Sequence, residues 1–233
     1  MAAALGAIPA ANAAPINVNF NGFTANSGPT QVESTLEGPA GGLGTSWNQY
    51  AANSSSGTMV DATGAATTAQ VSTNFSEGRY DGDGADLTML RATLTDFGRG
   101  QSRTVTISGL DEGGLYSVWL VSHRHQGTAR ERQKGTWTSV NNTTSSSSQL
   151  VDGTNGALNG STFVAGVNYA LFENVEADAS GQIVFNGKAA TIADGFDDDY
   201  RLHLNGIQII PEPSTALLGA FGLLALLRRR RTA

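Results

Sequence analysis

The chain has 233 residues, 39% of them hydrophobic, no cysteine and a net charge of −6. That length holds one core and, once the two ends are set aside, one domain. The lack of cysteine excludes disulfide stapling, thiol catalysis and cysteine-ligated zinc. The acidic balance, stronger still without Arg228, Arg229, Arg230 and Arg231, argues against a phosphate backbone, so no nucleic-acid partner is expected.

The chain opens on "MAAALGAIPAANAAPINVNF". Small residues at Ala11 and Ala13 occupy the two positions a signal peptidase inspects, behind an apolar stretch at 2–8. No Lys or Arg precedes Arg79, so the basic start of a secretory signal is missing. Residues 1–13 therefore read as the remnant of a signal peptide whose start lies upstream of Met1. The alternative is an unstructured Ala-rich tail.

Residues 14–210 read as a β-sandwich domain. The 29 glycines stand well above the usual ~7%, and Thr, Ser and Asn are abundant, which suits short strands joined by many turns. Apolar residues alternate with period two in "INVNFNGF", "RTVTISGL", "LYSVWLVSH", "VNYALFENV", "GQIVFNG" and "RLHLNGIQII". Turn chemistry separates them at Asp111-Glu112-Gly113-Gly114 and Asp178-Ala179-Ser180-Gly181. Half-polar strands must bury one face against a second sheet, so an antiparallel sandwich follows. The run "SVNNTTSSSSQLVDGTNGALNGS" at 139–161 reads as a long exposed loop.

No G-x-S-x-G, H-E-x-x-H or Gly-rich phosphate loop occurs, and Ser122 beside His123 points to the opposite face of a strand, so no enzyme is expected. His123 and His125 in "SHRHQG" share one side of a strand end, a spacing able to bind metal, but a third ligand is not evident. Oxygen-rich turns suit a structural calcium, with Asp81, Asp83 and Asp86 in "YDGDGADL" and Asp197, Asp198 and Asp199 in "GFDDDYRL". Solvated acidic turns are the alternative, and no other cofactor is expected. Of the tryptophans at 47, 119 and 137, Trp119 alternates with core residues and reads as packing. Trp137 stands near Arg130, Arg132 and Lys134 and reads as exposed. Trp137 with Arg124 and Arg130 is accordingly the expected glycan-binding set.

The chain closes on "PEPSTALLGAFGLLALLRRRR". Residues 214–227 carry no charge and would span about 21 Å as a helix, short of a ~30 Å hydrocarbon core. Proline on both sides of Glu212 cannot continue a helix and keeps the backbone extended and accessible. The arginines belong on the cytoplasmic side, with the body outside.

Pro211, Glu212 and Pro213, the apolar run and Arg228, Arg229, Arg230 and Arg231 together resemble the PEP-CTERM sorting signal. A plain C-terminal anchor is the alternative. The resemblance implies that 211–233 is a sorting and transmembrane tail with an apolar helix, recognised by an exosortase and transiently anchored in the inner membrane. The body, from Gly41 to Ile210, is similar to the galactose-binding-like jelly-roll domains that precede this signal, used elsewhere as carbohydrate-binding modules. The expected fold is thus an all-β, antiparallel jelly-roll β-sandwich with a C-terminal apolar helix. The expected function is a non-enzymatic exported protein of the envelope or extracellular matrix, adhesive or scaffolding in exopolysaccharide. A carbohydrate-binding module with a defined glycan and a secreted glycan-active hydrolase are the alternatives.

Overall fold

The computed structural model describes residues 14–20, 38–41, 46–50, 58–80, 92–95, 100–124, 133–141, 148–152 and 162–213, with backbone alone at 77–80 and 92–93. The expected signal-peptide remnant at 1–13, the expected apolar helix and the four arginines lie outside these residues. Among the described residues no helix is long and apolar enough to cross a membrane.

The described residues form twelve strands: β1 (Ile16–Phe20), β2 (Asn48–Tyr50), β3 (Gln70–Thr73), β4 (Glu77–Tyr80), β5 (Ala92–Thr95), β6 (Ser102–Ser108), β7 (Leu115–Val121), β8 (Lys134–Ser139), β9 (Ser148–Asp152), β10 (Tyr169–Glu176), β11 (Ile183–Ala189) and β12 (Gly206–Pro211). They form two five-stranded sheets, ordered β10-β7-β12-β1-β2 and β3-β6-β11-β8-β9, and a separate β4-β5 pair. Strand pairs run antiparallel except β1 with β2, a parallel pair that the sequence pattern did not indicate. A single 3-10 turn, Ile192–Asp194, is the helical element among the described residues.

The six alternating runs fall on β1, β6, β7, β10, β11 and β12, and their apolar positions meet between the sheets. Val18, Val118, Leu120, Ile207 and Ile209 of the first sheet face Val105, Ile107, Ile183 and Phe185 of the second, all fully buried. The Phe172 and Phe185 rings meet across the core with centroids 4.9 Å apart. Both expected turns are present. Asp178 Oδ1 accepts the amides of Ser180 (2.8 Å) and Gln182 (3.0 Å), and Gly181 takes the positive φ of 66° that the turn requires.

One reading of the sequence is corrected. The low-complexity run is not one long loop, because Ser148–Asp152 pairs with β8 as the edge strand β9. Its weak pattern leaves only Val151 buried, so pairing with a formed neighbour decides the strand. Gly187 lies inside β11, opposite Trp137 of β8. A Cβ on Gly187 would stand 2.7 Å from Trp137 Cζ3 and would also strike Leu202. The missing side chain is the space the indole fills.

The connection from β11 to β12 packs over β8. Lys134 Nζ pairs with Asp152 (3.1 Å) and lies about 5 Å from the ring centres of Phe196 (5.2 Å) and Tyr200 (5.1 Å). Burial first, then its hydrogen bond to Asp197 Oδ1 (2.9 Å), pushes the Tyr200 phenol up to about 12.

Two outcomes follow from this packing. Gly187→Ala should lower stability by about 1–3 kcal/mol through overpacking, read as a fall in Tm with the β spectrum retained. For Tyr200, the folded-state value exceeds the unfolded value of 10.0, so its contribution is whole below pH 10 and lost as pH rises towards 12. Tyr200→Phe should flatten the fall of Tm across that window, and a slope equal to wild type would remove Tyr200 as its cause.

Candidate functional site

Pro211 is the last residue of β12, so the sorting motif begins inside the central strand of the first sheet. Proline is tolerated there for a geometric reason. The Glu212 amide donates to the Leu115 carbonyl of β7 (2.8 Å). By the alternation of a strand, position 211 would donate to the other side, beyond the start of β1 at Ile16. No ladder bond is lost. The Ser117 hydroxyl of β7 donates to Glu212 Oε1, on the face turned away from the core. Pro211 and Glu212 are half-buried and Pro213 is exposed. The backbone is extended, as expected, but it is docked on the body rather than freely accessible.

Beside Pro211 opens a cleft of about 360 Å³, lined by Ile16, Ala69, Leu110 and Tyr116 among others. The polar groups at its rim serve local structure. Burial pushes the Tyr116 phenol up, and its oxygen accepts the Asp111 amide (3.1 Å). Burial also acts to raise Asp61. Hydrogen bonds from the Thr63 hydroxyl (2.6 Å) and from the amides of Thr63 and Ala65 outweigh it, holding the carboxyl below its ordinary value.

At the opposite end of β7 lies a buried polar hub. Ser122 Oγ accepts the Trp137 indole N–H (3.3 Å) and donates to the His203 carbonyl. The Asn205 side chain accepts the His123 amide (2.6 Å), and that of Gln133 accepts the His203 amide (2.6 Å). These bonds lock the chain leaving β7 to the segment entering β12.

The hub corrects the expected glycan set. Trp137 is fully enclosed, packed at 6.4 Å from the Phe75 ring and covering Gly187, so its face is not open to a sugar. The run of basic neighbours suggested exposure, whereas the inward position on β8 and the gap at Gly187 put the ring inside. Arg124 is buried as well, and Arg130 lies outside the described residues. Trp47 is also enclosed. Trp119, read as packing, is instead half-buried on the outer face of the first sheet. It stands in one cross-strand row with Leu171, Gln208 and Asn17.

The metal readings separate in the same way. His123 is buried just beyond β7, and His125, Asp81, Asp83 and Asp86 lie outside the described residues. Asp197, Asp198 and Asp199 spend an oxygen each on the Tyr200 hydroxyl, the Asp199 amide and the Ile192 amide. Among the described residues no group of three His, Asp or Glu side chains could hold a metal ion.

Comparison with known proteins bears on the two parts of the chain differently. The body is similar in fold to the plant receptor-like kinase FER (12% identity, TM-score 0.43) over 86% of this chain and 42% of that one. It is also similar to the plant receptor-like kinase ANX2 (14%, TM-score 0.44), over 85% and 48%. The ANX2 ectodomain from Arabidopsis thaliana gives 13% and a TM-score of 0.43, over 87% and 50%. The chain thus spans half the length of these structures or less. No curated protein matches its sequence. Residues 210–231 match the PEP-CTERM protein-sorting motif. The half-buried Pro211 and Glu212 at the end of β12, the exposed Pro213 and the tail that follows are therefore a PEP-CTERM sorting signal, the mark of an exported, envelope-directed chain.

Proposed function

We propose that this is a non-enzymatic exported protein, processed by an exosortase at its C-terminal signal and retained in the envelope or exopolysaccharide matrix, where the β-sandwich adheres or scaffolds. The observation that carries the reading is the sorting motif at 210–231, contiguous with the central strand of the body. Delivery then places the domain outside the cytoplasm, with the tail a transient inner-membrane anchor. A jelly-roll winding of the two five-stranded sheets accords with β1 and β12 pairing at the centre of the first sheet. The absence of cysteine suits a fold held by its core and buried amides rather than by disulfides.

For contact with polysaccharide, the part of the first sheet's outer face around Trp119 of β7 and Leu171 of β10 is the better surface, since β1 and β12 are covered there. Trp119 is the one tryptophan of three that is not enclosed, and an indole face suits stacking on a sugar ring.

Intact-mass measurement on the native protein from its own envelope fraction should find a C-terminus lacking Arg228, Arg229, Arg230 and Arg231. A full-length tail there would return the segment to a plain anchor. Co-sedimentation with the producer's exopolysaccharide should weaken several-fold in Trp119→Ala with Tm preserved. Trp137→Ala should instead lower stability by about 3–5 kcal/mol, as for loss of a buried aromatic. Binding unaffected by Trp119→Ala would remove that face from the contact.

A further inference from the structure

The sorting motif is docked on the domain it is meant to deliver. Glu212 uses both of its recognisable features on β7: the amide N–H on the Leu115 carbonyl (2.8 Å) and the carboxylate on the Ser117 hydroxyl. Ser117 is itself buried and occupies the register position opposite Ile210, one pair before Tyr116 and Pro211. An enzyme that reads Pro-Glu-Pro in extended form needs the glutamate side chain and the backbone around it. Here both are engaged. Slack is also short, because Pro213 lies one residue beyond the tether and the apolar run starts at the next. Two extended residues reach about 7 Å.

We propose that Ser117 and the Leu115 carbonyl form a clamp on Glu212 that must open before exosortase acts, so that the folded body sets the rate at which its own sorting signal becomes available. The clamp is local. Opening it peels Pro211 and Glu212 from β7 and leaves Ile207 and Ile209 in the core. Ser117 is a positioning residue in this scheme, acting through Glu212 and never on the enzyme.

The inference rests on the reading that the tail is processed, and the experiment separates the two. The full chain and its variants are followed by pulse-chase in the native host, with intact mass as the readout of processing. Ser117→Ala removes one hydrogen bond to a charged group. If opening precedes capture, processing should quicken by about tenfold, while Ser117→Thr, which keeps the hydroxyl, should restore the wild-type rate. Gly187→Ala destabilises the core by overpacking away from the clamp and should leave the rate unchanged. Hydrogen exchange on the full chain in detergent should show a protected Glu212 amide that exchanges faster in Ser117→Ala, with the β1 and β6 amides unaltered. Equal or slower processing in a folded Ser117→Ala overturns the clamp, as does acceleration by Gly187→Ala, which would assign control to global stability. No processing of the wild type overturns the sorting reading and the clamp with it.

Discussion

Ile207 and Ile209 of β12 lie fully buried at the centre of the core, and the strand's other face is closed over as well, with Gln208 fully enclosed. Each isoleucine removed from water contributes about 1.5–3 kcal/mol, so the last strand in sequence is also the one on which sheet closure depends. It is inserted between β1, the first strand, and β7. Pairing Ile16 with Ile209 and Val18 with Ile207 joins the two ends of the domain. Such contacts carry the largest loop-closure cost in the fold and form late. Because the sorting motif begins on the final residue of this strand, the signal can dock only where β12 has paired with β7.

Enclosure on both faces creates a demand for hydrogen bonds, and side-chain amides meet it. A carboxamide carries an acceptor and donors in the same plane as a peptide group, so it can stand in for a piece of strand. Asn48 does so for Asn17 and Val60, donating to both carbonyls (2.9 and 2.8 Å) and accepting the Val60 amide (2.9 Å). Asn168 closes the loop at 162–164, and Asn141 closes the end of β11. Gln149 of β9 bonds both the amide and the carbonyl of Leu171, tying the edge of one sheet to the edge of the other. Gln208 reaches across to the Ala40 amide (2.9 Å), filling the space where a Cβ at Gly38 would stand. An unpaired group in any of these places would cost about 1–3 kcal/mol.

The strand directions give the body two unlike ends. At one, the chain leaves through Pro211 beside Tyr116, Leu110 and the turns after β6 and β10. At the other, Ser122 links the Trp137 indole to the His203 carbonyl, and Gln133 and Asn205 hold the crossing backbone.

Sequence alone determined which segments are strands wherever period-two alternation is strong, as in β1, β6, β7, β10, β11 and β12, because pleating puts every second residue in the core whatever the partners are. It also determined the address: Pro211, Glu212 and Pro213, the apolar run and the arginines are contiguous, so no folding is needed to assemble them. Tertiary structure decided what depends on distant residues. Alternation could not tell that the polar face of β1 and β12 is enclosed, since Asn17, Asn19 and Gln208 look the same whether water or another loop covers them. β9 exists only because β8 offers an edge, and Trp137 is buried only because Gly187, fifty residues on, leaves its space. The Ser117–Glu212 bond spans 95 positions. Such pairings are set by how the sheets close, and no local pattern encodes them.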